Sequence, residues 1–104
     1  MAFKVQLSEA ARTDMKQTTA LISKRAPASA DKWFDGLIDA LKSLTEMPLR
    51  FALMPEANEL KRPLRSFPYH SHRVIYQVDE PAQVVSILRV YHSARAPLQL
   101  EDLG

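Results

Sequence analysis

The 104-residue chain has no cysteine, only two glycines, one tryptophan and no long apolar run. Each scarcity removes a class of function. Without cysteine there is no disulfide, no thiolate metal centre and no cysteine nucleophile. With glycine confined to positions 36 and 104, neither a Gly-rich phosphate loop nor a Gly-x-Ser-x-Gly nucleophile elbow can be built, so nucleotide-binding and serine-hydrolase readings drop out. No apolar stretch approaches the roughly 18 residues a membrane helix needs, and Met1-Ala-Phe-Lys4 runs into an alternating segment rather than into the apolar core of a secretory leader. The expectation is a soluble cytoplasmic chain with no membrane partner.

Acidic residues are scarce in one region only. Residues 1 to 60 hold eight Lys/Arg against eight Asp/Glu, whereas residues 61 to 100 hold six against two. This local excess of positive charge suits phosphates or an acidic protein segment, or simply forms a solvated basic face. Hydrophobic residues make up 46% and charged residues 25%, an ordinary globular composition, and the length predicts one domain spanning 1-104 with its own core.

Phe3-Lys-Val-Gln-Leu7 alternates apolar and polar residues, which predicts a short strand. Ser8 is a good N-cap for a helix whose inner face carries Ala11, Met15, Thr18 and Ile22. Pro27 interrupts the pattern, and Ser29 or Asp31 opens a second helix with a stripe of Phe34, Leu37, Ile38, Leu41 and Leu44, edged by Trp33. The short connection Arg25-Ala-Pro-Ala28 makes the two helices an antiparallel hairpin. Residues 47 to 58 show no period and read as a loop. Three strands follow, at about 60–67, 73–79 and 83–91, with Asp79-Glu-Pro-Ala82 as a turn and Pro63 and Pro68 restricting the first of them to an edge.

The predicted fold class is therefore α+β: an N-terminal strand, an antiparallel helical hairpin, then a three-strand antiparallel meander, forming one sheet with the helices packed on one face. Apolar residues on both parities of the last strand predict that it is central. The face without helices is expected to be free for a ligand.

The last two strands carry Arg73, Arg89, Tyr91 and His92, with Arg95 just beyond and Arg65 on the strand before. Alternation sends Arg89 and Tyr91 to one side and starts the other side at His92. Three strands in this order predict guanidinium groups gathered around one histidine and one tyrosine, a phosphate site. Metal-free RNA cleavage needs a base for the 2′-hydroxyl, a cation for the phosphorane and an acid for the leaving oxygen, roles that histidine, arginine and tyrosine can fill. The alternative is that Tyr91 packs, His92 bonds a backbone carbonyl and the arginines extend to solvent. His70-Ser-His72 places two imidazoles at strand spacing with no third ligand nearby, so no metal site is expected there. No cofactor is implied.

The order of elements, Trp33 through Leu44 followed by Pro48 and Ala52-Leu-Met-Pro-Glu56, together with Leu64-Arg65, Arg73-Val-Ile-Tyr-Gln-Val78 and Leu88-Arg-Val-Tyr-His-Ser-Ala-Arg95, resembles the RelE/ParE superfamily of toxins from type II toxin-antitoxin modules, the plasmid stabilisation proteins. The resemblance implies a growth-inhibiting protein silenced by a cognate antitoxin, with which it forms a hetero-oligomer. One branch cleaves ribosome-bound mRNA as an mRNA interferase; the other inhibits DNA gyrase. For the ribonuclease branch it implies catalytic roles for Arg73, His92 and Arg95, with Lys61 and Arg62 near the positions of strand lysines and phosphate or target contacts from Lys61, Arg62, Arg65, Arg89 and Tyr91. After Arg95 the chain has neither the distal tyrosine nor the basic cluster of the RelE type. Its Tyr91-His-Ser-Ala-Arg95 run is similar to the His-Gly-x-Arg ending of ParE-like members, so the resemblance leans to a gyrase inhibitor. The alternatives are a RelE-like ribosome-dependent endoribonuclease and an inactive remnant or non-toxic interaction module.

Overall fold

In the computed structural model, residues 2–93 and 99–103 are described. Strand β1 (Lys4–Leu7) leads into helix α1 (Glu9–Ser23), helix α2 (Pro27–Lys42), two single 3₁₀ turns (Ser43–Thr45 and Pro48–Arg50) and the short helix α3 (Glu56–Leu60). Strands β2 (Leu64–Tyr69), β3 (His72–Asp79) and β4 (Val84–His92) complete a four-stranded sheet of order β1-β4-β3-β2, and a 3₁₀ turn follows at Leu100–Leu103. The last three strands form the antiparallel meander, whereas β1 joins β4 in parallel with Lys4 opposite Val84. The sheet is therefore mixed, and β4 is central as its two-sided apolar pattern requires.

Ser8 caps α1 as its residue type predicts, accepting from the Ala11 N–H at 3.0 Å while its hydroxyl donates to the Leu88 carbonyl at 2.8 Å, which ties the helix start to β4. α2 begins at Pro27 rather than at Ser29 or Asp31. Proline at the first helical position loses no hydrogen bond, so it starts this helix where the sequence pattern suggests a break. The buried stripe of α2 is Ala30, Trp33, Leu37 and Leu41, with Leu44 continuing it, and Phe34 sits outward at 38% exposure. The helix is thus rotated by about one residue from the expected stripe, because bulky Trp33 takes the inward position.

The first meander strand begins at Leu64, so Lys61 and Arg62 precede it; Lys61 lies in the left-handed region at φ 54° and ends α3. The segment expected to be a loop, residues 47 to 58, instead holds the Pro48–Arg50 3₁₀ turn and the start of α3.

The helices pack on one face of the sheet over Ala11, Met15, Trp33, Leu37, Leu41, Leu44, Phe67, Val74, Tyr76, Val85, Ile87 and Val90. The expectation of a bare second face is corrected: Met54 and Ala57 close over Leu64, Ile75 and Tyr91, with Leu60, Leu88 and Leu103 against them. Apolar residues on both parities of β3 and β4 demand this second small core. Among the described residues, no helix is long and apolar enough to cross a membrane.

Candidate functional site

The strand register divides the predicted constellation between the two faces. Arg73 lies opposite Tyr91, and Ile75 opposite Arg89, so Arg73, Arg89 and Tyr91 share the face away from the helical hairpin. Their groups meet: the guanidinium carbons of Arg73 and Arg89 lie 5.8 and 5.7 Å from the Tyr91 ring centroid, within the reach of cation–π attraction. Alternation sends His72 and His92, which are register partners, to the helix side, where their rings are 5.0 Å apart.

The cations on the outer face have partners from distant segments. Arg73 donates to Glu56 Oε2 at 2.7 Å, bringing the start of α3 onto β3. Arg89 donates in a fork to both carboxylate oxygens of Asp14, from Nε at 2.7 Å and Nη2 at 2.8 Å, and from Nη1 to the Asp102 carbonyl at 2.6 Å. The side chains of Arg89 and Asp14 are only 13% and 12% exposed. This charge-assisted bonding, above all with Asp14, raises the Arg89 pKa further above its ordinary value. The same Asp14 carboxylate accepts the Val90 N–H at 3.0 Å, where β1 has ended and, among the described residues, β4 has no strand neighbour on that side. Tyr91 is buried, and its hydroxyl donates to Asp102 at 3.4 Å.

The other predicted contact residues serve separate positions. Arg65 is on the helix side opposite Tyr76 and donates to the Phe51 carbonyl at 2.7 Å, holding the segment before α3. Arg62 donates from Nε and Nη2 to Gln77 Oε1 at 3.2 and 3.0 Å. Lys61 is exposed at the rim of a 420 Å³ groove lined by Leu53, Met54, Ala57, Arg62 and Pro63 among others. Arg95 lies outside the described residues.

At the other end of the sheet, His72 packs edge-on against Trp33 with centroids 5.4 Å apart, and its Nε2 is 3.5 Å from the Thr18 hydroxyl of α1. Burial, then the neighbouring His92, lowers its pKa, and Asp14 opposes them. His70 is not a strand residue: it occupies the turn between β2 and β3 in the left-handed region at φ 53°. The two imidazoles expected side by side at strand spacing, His70 and His72, are therefore held differently, and His72 faces His92 instead.

Sequence reasoning did not find Asp14, Glu56 and Asp102 as the counter-charges of the basic face. The bonds from Arg89 to Asp14 span 75 positions, which no local pattern reveals. Burial of Arg89 at a central strand position was the one available hint, since a buried cation needs a carboxylate.

A family model described as the ParE toxin of type II toxin-antitoxin system, parDE, matches residues 5–97. The chain belongs to the ParE toxin family. As such it is a RelE/ParE-superfamily toxin of a type II toxin-antitoxin system. Solved structures share the fold of this ParE-family toxin. The chromosomal ParDE toxin-antitoxin system from P. aeruginosa superimposes with a TM-score of 0.69 at 14% identity, covering 88% of this chain and 96% of that one. The toxin-antitoxin complex RelBE2 from Mycobacterium tuberculosis gives 0.62 at 23% identity over 91% and 95%. An arginine-to-alanine double mutant of E. coli toxin RelE, in the free state, gives 0.58 at 16% identity over 89% and 85%. No curated protein sequence is a significant match.

Proposed function

We propose that this toxin acts by binding, as a ParE-like inhibitor of DNA gyrase in the cytoplasm, and that a cognate antitoxin neutralises it in a hetero-oligomer. The observation that carries the reading is the division of the candidate nuclease groups between the two faces of one sheet. A general base and the cation that stabilises a phosphorane must both reach the same phosphate within hydrogen-bond distance. Here Arg73, Arg89 and Tyr91 share one face and His92 the other. Arg89 is moreover bonded through all three guanidinium nitrogens to Asp14 and the Asp102 carbonyl, and Arg73 through Nη2 to Glu56, so neither offers an uncompensated charge to a substrate phosphate.

The antitoxin reading is supported by the solved relatives, which include toxin-antitoxin complexes, and by the groove beside α3. Its apolar floor of Leu53, Met54 and Ala57, with Lys61 and Arg62 at the edge, suits an acidic amphipathic segment that orders on binding.

Purified gyrase tests the proposal. Stoichiometric toxin is expected to abolish supercoiling, expression is expected to induce the DNA-damage response, and addition of the antitoxin is expected to reverse both. Intact supercoiling at growth-arresting doses, together with cleavage of ribosome-bound mRNA, would establish the ribonuclease instead. Growth unaffected by the toxin alone would mark the chain as a remnant or an interaction module.

A further inference from the structure

We propose that residues 47–53, continuous with the groove beside α3, form a preorganised platform for an acidic, amphipathic protein segment. Three of the large apolar side chains exposed among the described residues stand in this short stretch: Met47 at 74%, Leu49 at 41% and Leu53 at 52%. Leu53 also lines the 420 Å³ groove with Met54 and Ala57, so ridge and groove meet at one residue. Arg65 gathers the ridge from β2. Its Nη1 donates to the carbonyls of Leu49 at 3.4 Å and Phe51 at 2.7 Å, and its backbone pairs with that of Leu53. One arginine thus fixes the spacing of Leu49 and Leu53.

The stretch is held firmly from beneath. The Tyr76 hydroxyl donates to the Pro48 carbonyl at 2.6 Å. Arg50 donates from Nη1 to the carbonyls of Ser43, Glu46 and Met47, and from Nη2 to the Ser43 hydroxyl at 2.7 Å. This clamp holds Met47 in the left-handed region at φ 47° and ψ 54°. A methionine there costs about 1 kcal/mol or more that a glycine would not. No burial offsets that cost, since Met47 is the most exposed of the three. Strain kept beneath exposed apolar groups suits a binding surface, because a loop ordered in advance lowers the cost of association.

The charge around the ridge selects the partner. Arg50, Arg62 and Arg65 donate only to neutral acceptors, namely main-chain carbonyls, the Ser43 hydroxyl and the Gln77 amide, and Lys61 is exposed. Among the described residues none of these four cations is paired with a carboxylate, in contrast to Arg73 and Arg89. The exposed acids of these segments, Glu46 and Glu59, do not line the groove, and Glu56 is taken by Arg73. Uncompensated positive charge beside aliphatic side chains fits an acidic segment that brings its own apolar anchors. Single-stranded nucleic acid needs aromatic planes on which to stack its bases. Here the Phe51 ring is already stacked on Phe67 at 4.8 Å and covered by Arg50 at 4.7 Å. That the natural partner is the antitoxin rests on the antitoxin reading; the chemistry of the platform does not.

The probe is a fluorescein-labelled synthetic helix of about 20 residues with leucine and phenylalanine on one face and glutamate on the other, titrated with the whole toxin at low salt and followed by anisotropy. Saturable binding at about 100 μM toxin or below is expected. The same peptide with lysine in place of glutamate should bind at least about tenfold more weakly. Leu49→Ser combined with Leu53→Ser alters two exposed side chains, so the protein should unfold at the parent temperature yet lose at least about tenfold in affinity. Met47→Gly separates anchor from fold: it relieves the left-handed backbone, so Tm should hold or rise while affinity falls at least about threefold. No binding by the parent overturns the platform. So does equal affinity for the lysine peptide, parent-like binding by the folded double variant or by Met47→Gly, or tighter binding of a single-stranded RNA than of the acidic peptide. Because the probe is synthetic, these outcomes leave the antitoxin reading standing; that reading fails instead if no antitoxin relieves growth arrest.

Discussion

At the scale of single residues, His72 makes the stability of the toxin depend on pH. Its folded pKa lies below the ordinary 6.5, chiefly through burial, so below that value the unfolded chain binds a proton that the folded chain resists. Stability therefore rises with pH across this window: it is fully present above 6.5 and declines as pH falls through and below 6.5. Unfolding by urea in steps from pH 7.5 to 5.0 should show this decline, and His72→Gln should reduce it. An unchanged slope in the variant would assign the effect to other groups. Gly36 offers a second residue-scale test. A methyl group there falls 2.5 Å from the Tyr69 hydroxyl, which itself donates to the Trp33 carbonyl at 2.7 Å. In an exposed helix interior Gly→Ala gains about 1 kcal/mol, but this clash is set against a ring held by its own hydrogen bond. Gly36→Ala should destabilise by about 1–2 kcal/mol. In a Tyr69→Phe background the clashing atom is gone, and the same substitution should become neutral or stabilising, which a double-mutant cycle in urea reads directly.

At the scale of elements, α1 and β4 are locked by Asp14. Its carboxylate serves Arg89 and also the Val90 N–H, which is reached after β1 has ended and beyond the register shift opposite Ile75 and Tyr76. An exposed ion pair contributes at most about 1 kcal/mol, but this one is nearly enclosed. Removing one partner leaves a buried charge, so Asp14→Ala should cost about 3 kcal/mol in chemical denaturation, and more than Asp14→Asn, which keeps hydrogen-bond acceptance. A loss below about 1 kcal/mol would mean that solvent screens the pair. The elements differ in how plainly they could be read. Ser8 and the alternation of Phe3 to Leu7 announced α1 and β1 because capping and period two are local effects. α3 has five residues, too few for a helical period to emerge, and Pro27 looked like a breaker because proline begins helices as readily as it ends them. The role of Asp14 was illegible for another reason: its partner is fixed by the fold, not by sequence distance.

At the scale of the whole molecule, the basic excess of residues 61 to 100 is partly an effect of counting along the chain. Folding brings Asp14, Glu56 and Asp102 onto Arg89 and Arg73, so two of the cations that suggested a phosphate site instead fasten α1, α3 and the final turn to the sheet. Sequence order placed Arg73, Arg89, Tyr91 and His92 close together; the pleat then set His92 apart, because an odd step along a strand changes face. A binding mechanism and a nuclease mechanism respond differently to this arrangement. His92 is exposed, so His92→Gln tests it without burdening the fold. Arg73 is best removed together with Glu56, as Arg73→Gln with Glu56→Gln, because deleting the cation alone leaves a carboxylate that is only 12% exposed. If the toxin acts by binding gyrase away from these groups, both variants should arrest growth and inhibit supercoiling within about threefold of the parent. If His92 transfers a proton during RNA cleavage, His92→Gln alone should lower activity by about 10² or more. Growth arrest lost in His92→Gln while the protein still unfolds at the parent temperature would overturn the binding mechanism. Growth arrest lost only in the Arg73/Glu56 pair would place the target contact on the outer face of the sheet, where the ion pair joins α3 to β3.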